Sequence, residues 1–202
     1  MLELRRLPRL VAAVVGALGG ALLVAAPASA HVGHGTDGFT NGFLHPLTGP
    51  DHLLAMAAVG VVAATWRSDR TLWLAPASFL LGMVAGGVAG MAGVPFPGAE
   101  LLIAASVLLL GIAIAAAVTD GKASAFVLPI LAAAGVAHGH AHGAEAPTSA
   151  HPALYIGGFL LATAGVHLAG VGVGTVIRDR QVARVGLGVA TATAGVLLLT
   201  AA

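Results

Sequence analysis

Apolar residues fall in long blocks separated by short polar breaks, and no alternating apolar/polar strand pattern appears. The chain opens with Arg5, Arg6 and Arg9, an apolar run from Leu10 to Ala26 and an A-x-A site at Ala28-Ser29-Ala30, which predicts a signal peptide over 1–30. Because that run is somewhat long, an uncleaved first helix is the alternative; in either case His31 lies outside the cytoplasm. Residues 31–42, HVGHGTDGFTNG, form a polar, Gly-rich exported segment. Six apolar blocks follow, at 43–64, 72–92, 100–118, 124–140, 152–176 and 183–201, each close to the ~20 residues a bilayer demands. In lipid only helices or closed barrels satisfy every peptide group. The pattern therefore predicts an all-α, polytopic membrane protein, with residues 31–202 forming one six-helix transmembrane domain.

Charge sets the orientation. With the mature N-terminus outside, the cytoplasmic loops are 65–71, 119–123 and 177–182. These loops, with Arg184 just beyond, hold Arg67, Arg70, Lys122, Arg178 and Arg180, which completes the Lys and Arg of the mature chain. The outer loops, 93–99 and 141–151, hold none. This asymmetry follows the positive-inside rule and puts both mature termini outside the cytoplasm. Trp66 and Trp73 flank the first inner loop, as interfacial anchors should.

Composition agrees. Of 202 residues 58% are hydrophobic and 8% charged, against about 25% charged in soluble domains. The 29 glycines favour close helix packing. Gly82, Gly86 and Gly90 repeat every fourth residue, and Gly170, Gly172 and Gly174 crowd another helix; packing is preferred for these over pore walls. No cysteine is present, which removes thiolate chemistry, and a formal net charge of +1 gives no footing for nucleic acid.

Nine histidines equal the Lys and Arg in number. All but His167 fall at or near the outer face. His31, His34, His45, His52, His138, His140, His142 and His151 thus oppose the basic inner face. The first constellation is His45-Pro-Leu-Thr-Gly-Pro-Asp51-His52. Ionisable groups at membrane depth are costly and so are functional suspects. Pro46 should push His45 out of helical geometry, with the regular helix starting near Thr48. Thr48 as N-cap and Asp51 in a capping-box position is the structural alternative for the carboxylate. The second is His138-Gly-His140-Ala-His142-Gly-Ala-Glu145, where His138, His142 and Glu145 share one helical face and His140 points elsewhere. A solvated His-rich loop is the bland alternative, and it suits His140 and His151. Both constellations lie at the outer leaflet and can converge. Glu100 opens the third apolar block as either a ligand or a dipole-favoured acid. His167 reads as a buried, hydrogen-bonded histidine, with a second ion stop as the alternative. Imidazole and carboxylate without sulfur suit nickel, zinc or cobalt, and Cu(I) or calcium less well.

These residues resemble the HupE/UreJ family of bacterial nickel permeases, tied to hydrogenase and urease maturation. The resemblance rests on the signal peptide followed by His31-Val-Gly-His34, the H-x5-D-H motif at His45, Asp51 and His52, the LLAMAAVG that follows, and HGHAHGAE from His138 to Glu145. Ala137 departs from the family's usual aromatic before HG. The resemblance implies secondary uptake of Ni²⁺ without an ATPase domain and without a resident cofactor. It implies His45, Asp51, His52, His138, His142 and Glu145 as the metal positions, and Glu100 less directly; His31, His34 and His140 are outer collecting residues. The expected partners are the metal ion, the lipid bilayer and further copies of the chain in a homo-oligomer, with hydrogenase or urease maturation downstream. Cobalt or zinc could replace nickel. The rival from another class is a zinc-dependent intramembrane hydrolase, for which no nucleophile or substrate-binding signature stands out.

Overall fold

A computed structural model describes residues 38–66, 69–116 and 121–201. The predicted signal peptide and the two candidates His31 and His34 lie outside the described residues. Among those described, the fold is all-helical, with seven helices and no strand. These are α1 (Gly38–Thr48), α2 (Pro50–Thr65), α3 (Asp69–Met91), α4 (Ala99–Ala116), α5 (Gly121–Ala144), α6 (Pro152–Ile177) and α7 (Gln181–Ala201).

The first apolar block is two helices rather than one, α1 and α2, bent by 84°. Gly49, extended at φ −86° and ψ 112°, is the N-cap of α2, and Pro50 is its first helical residue. A proline biases the residue before it away from helix, and its missing N–H costs nothing at the first helical position. Thr48 is therefore not the cap that the sequence suggested. Its hydroxyl turns back to the His45 carbonyl at 2.7 Å and closes α1. Nor does Pro46 expel His45 from helix: α1 runs through it and ends two residues later, so one missing bond is tolerated.

Helices α4, α6 and α7, with the Leu72–Met91 part of α3, are long and apolar enough to cross a membrane, and the bent α1–α2 pair would make a fifth span. The expected six are thus not all met by length and apolarity. Helix α5 is long enough, but its last turns carry His138, His140 and His142.

Glycine sets the spacing of the bundle. On α3, a Cβ at Gly82, Gly86 or Gly90 would collide with the backbone of α5 at Ala132, Val136 and His140. On α5, one at Gly135, Gly139 or Gly143 would collide with Phe79, Met83 and Gly87 of α3. Each helix thus lies in the groove left by the other's missing side chains, and backbone contact replaces side-chain interdigitation. The same device joins α6 to α1 through Gly42 and Gly158, α6 to α2 through Gly60 and Gly170, and α4 to α7 through Gly111 and Gly188. Gly172 meets nothing, so only part of the second predicted glycine cluster serves packing.

Two further details bear on the sequence reading. Trp66 is buried, with its indole N–H unpartnered, whereas Trp73 is largely exposed; of the two expected interfacial anchors, only Trp73 has an anchor's exposure. The Arg184 guanidinium donates to the carbonyls of Ile114 (2.9 Å) and Ala115. A cation thereby bonds carbonyls in the last turn of α4, where the helix dipole favours it.

Candidate metal site

The elbow between α1 and α2 brings two histidines from either side of Gly49 against the C-terminal end of α5. The His45 ring lies 5.0 Å from that of His142, centroid to centroid. His52 lies 4.4 Å from His142 and 4.8 Å from His138. The two constellations that the sequence set 86 residues or more apart therefore meet as one run of four imidazoles. The carboxylates bracket it: Glu145 Oε2 lies 3.0 Å from His45 Nε2, and Asp51 Oδ1 lies 3.0 Å from His52 Nδ1. A side chain at position 49 would crowd both Asp51 and His52, which would each have to give by a few tenths of an ångström.

The run is graded in depth. Side-chain exposure falls from 62% at Glu145 to 15% at His45 and 12% at His52, and His142 and His138 are buried. Glu145, just past the end of α5, accepts from His45, and that hydrogen bond holds its carboxyl below the usual carboxylate range. Its charge is therefore complete above the unfolded value of about 4.3 and is lost only as pH falls through the lower folded value. The rim stays anionic throughout the range in which histidines titrate.

Hydrogen bonds at the far side of each ring settle which nitrogen is free. A carboxylate only accepts, so His52 Nδ1 carries the proton and Nε2 keeps its lone pair; Nε2 is buried and unpartnered. The Ser106 hydroxyl on α4 donates to the Ile103 carbonyl at 2.7 Å. Its oxygen then accepts from His138 Nε2 at 3.1 Å, which leaves the lone pair on His138 Nδ1, again buried and unpartnered. Both nitrogens of His142 are buried and unpartnered too. Outer groups that hold imidazoles in one tautomer are the usual support of a metal-binding histidine. The Ser106 geometry is also the reverse of a serine nucleophile, whose hydroxyl must donate to the histidine.

Apolar rings frame the site. Phe159 stacks on His142 at 5.8 Å, and the Tyr155 hydroxyl donates to the His142 carbonyl at 3.1 Å. The Phe79 ring lies 5.3 Å from that of His138. Ser106, Phe79, Tyr155 and Phe159 were not singled out from sequence. Only Ser106 left a signal, as a lone hydroxyl in the apolar run of α4.

Other candidates lie elsewhere. His140 Nε2 bonds the Val94 carbonyl at 2.6 Å and its ring meets Phe96 edge-on; it pins the loop between α3 and α4 and faces away from the cluster, as its spacing predicted. Glu100 is an exposed first-turn residue of α4, and no ion pair or hydrogen bond among the described residues joins it to the cluster. Among the described residues, no three His, Asp or Glu side chains are arranged so that together they could hold a metal ion. The His45–His142 and His52–His138 rings meet edge to face and His52–His142 is tilted, with their free nitrogens not converged. Their spacing nevertheless suits convergence. With metal–nitrogen distances of about 2.1 Å and tetrahedral angles, two imidazole centroids on one ion stand about 5 Å apart.

The Ser106 bond makes a testable claim. Ser106→Ala should leave His138 in place but release its tautomer, and nickel affinity should fall about 10- to 100-fold. Equilibrium dialysis of the purified protein measures this, and an unchanged affinity would show that Ser106 does not orient His138.

The sequence matches the family model described as HupE / UreJ protein over residues 19–198. It is 40% identical over 183 residues to "Protein HupE" of Rhizobium leguminosarum bv. viciae, covering 89% of this chain and 93% of that relative. No solved structure matches significantly.

Proposed function

The chain belongs to the HupE/UreJ family, and on that premise we propose that it is a permease that carries nickel ions across the bacterial inner membrane. In this reading α1–α2 and α3 to α7 make six crossings. The loops with basic residues face the cytoplasm, and both mature termini lie outside. The observation that carries the reading is the buried run of imidazoles with unpartnered nitrogens at His52, His138 and His142. Buried polar atoms are normally bonded, and a divalent cation is the partner that suits several lone pairs at once.

The exposed Glu145 carboxylate and His45 meet the hydrated ion first. His52, His142 and His138 then replace part of its water shell, with Asp51 and Ser106 holding two of those rings in their ligating tautomers. No hydrolytic group is needed. An inside-negative potential favours inward movement of the ion by about 2.3 kcal/mol per charge per 100 mV. Supply to hydrogenase or urease maturation is the use that follows from the family.

The test is flux into proteoliposomes loaded with the purified chain and clamped at a negative internal potential. Nickel should accumulate, and cobalt and zinc, added in turn as competitors, should displace it less well than unlabelled nickel. Glu145, held below the usual carboxylate range by His45, remains charged as the outer pH drops from 7 toward 5.5, so its protonation should add no loss of uptake over that range. Absence of nickel flux in well-folded protein would rule the permease out.

A further inference from the structure

Below His138 the structure holds another unpartnered histidine that the outer site does not use. His167 on α6 is fully enclosed, and neither of its ring nitrogens has a hydrogen-bond partner. The sequence favoured a buried histidine bonded to a neighbouring helix, and that bond is not there. Its ring instead rests 5.4 Å from Phe79, whose other contact is His138 at 5.3 Å.

A second polar group points the same way. Tyr155, Phe159, Thr163 and His167 recur every fourth residue on α6 and so form one stripe. All four are buried. The top of the stripe is fixed to the outer site, since Tyr155 and Phe159 both touch His142. His167 lies eight residues beyond Phe159, about 12 Å further along the helix. Between them the Thr163 hydroxyl is buried without a partner. Helical hydroxyls ordinarily bond back to their own helix, as Thr65, Ser78, Ser106, Thr175 and Thr200 do here. Thr163 does not, although such a carbonyl is always within reach. Two enclosed polar groups one turn apart are thus left open along the line that continues the imidazole run.

We propose that His167, with the Thr163 hydroxyl one turn above it, is a second, inner binding position for the transported divalent cation, on the cytoplasmic side of His138. Imidazole nitrogen and hydroxyl oxygen supply two donors, and the ion keeps waters for the rest. A permeating ion needs sites strong enough to draw it in and several enough to let it leave. Two positions separated by one aromatic ring meet that need better than one deep trap.

This inference rests on the permease reading, and the experiment separates the two. Nickel uptake into proteoliposomes and equilibrium nickel binding are measured for the full chain and for His167→Ala, His167→Gln, Thr163→Val and His142→Ala. The wild-type chain should bind two equivalents, and His167→Ala one. His167→Ala should lower the maximal uptake rate at least about tenfold, as loss of a metal-site group does, while leaving the half-saturating concentration within about twofold. His142→Ala should instead weaken binding from outside. If His167→Ala does not fold, His167→Gln, which keeps polar atoms of similar reach, must show the same fall in rate. A wild-type chain that transports nickel but binds one equivalent, or a folded His167 variant with the wild-type maximal rate, overturns the inner position alone. A wild-type chain that moves no nickel overturns the permease reading and this inference together.

Discussion

Replacing His142 by alanine should reduce nickel uptake at least about a hundredfold, since loss of merely an outer-shell partner at a metal site costs about 10- to 100-fold. Its ring is the hub of the site, in contact with both His45 and His52, and neither of its nitrogens has a hydrogen-bond partner, so either tautomer leaves a lone pair open. The protein should survive the change. The bond that ties α5 to α6 here runs from Tyr155 to the His142 carbonyl, and alanine keeps that carbonyl and favours helix. The comparison is His140→Ala, two residues away, which removes the tether to Val94 and Phe96 but no nitrogen of the cluster. Uptake per folded molecule should remain within about twofold of wild type there, because the changed side chain lies outside the group of interacting ligands. Equal uptake by both variants would place the ion elsewhere.

The second large effect is on folding. A single methyl group at Gly86 or Gly139 should separate α3 from α5, because the added Cβ would meet backbone atoms of Val136 and His140 in one case and Met83 in the other. Backbone cannot step aside as a flexible side chain can. Overpacking of this kind costs about 1–3 kcal/mol even where neighbours yield, and here it also displaces the helix that carries two of the cluster's imidazoles, His138 and His142. Gly86→Ala and Gly139→Ala should therefore each cut the yield of monodisperse protein in detergent severalfold. Gly157→Ala and Gly165→Ala, where nothing stands within 4 Å, should match wild type in size-exclusion profile and melting temperature. Normal behaviour of the first pair would mean that the helices are not held at backbone contact.

These two outcomes draw on features of unequal legibility. The helices themselves follow from apolar block length, and the charge asymmetry of the loops needs no structure. The convergence of His45, Asp51 and His52 with His138, His142 and Glu145 was readable because costly side chains at one leaflet imply a shared purpose. The elbow was half readable. Pro50 does start α2, but Pro46 was weighted as a breaker when the short helix α1 absorbs it. Thr48 was assigned outward to α2, although a hydroxyl bonding three residues back serves α1 equally well. The i, i+4 glycines of α3 stand out in the sequence, whereas of the matching set on α5 Gly139 and Gly143 read only as part of a histidine motif and Gly135 carries no signal. Phe79, Tyr155 and Phe159 could not be recognised, because in a chain solvated by lipid an aromatic facing a ligand and one facing the bilayer look alike. His167 was seen and assigned a bond it does not make. Burial can be guessed from sequence, but a partner on another helix cannot.

The glycine contacts also divide the molecule mechanically. They clamp α3 to α5 as one block and α6 to α1 and α2 as another. His138 and His142 ride on the first block, His45, His52 and His167 on the second. In the permease reading the cargo would be held between these two blocks rather than inside either. An ion that ligates both would act as a removable rivet across the seam. Each block is joined by backbone contact, while cohesion between them at this seam would rise when cargo is aboard and relax when it departs, as binding to one state must make it.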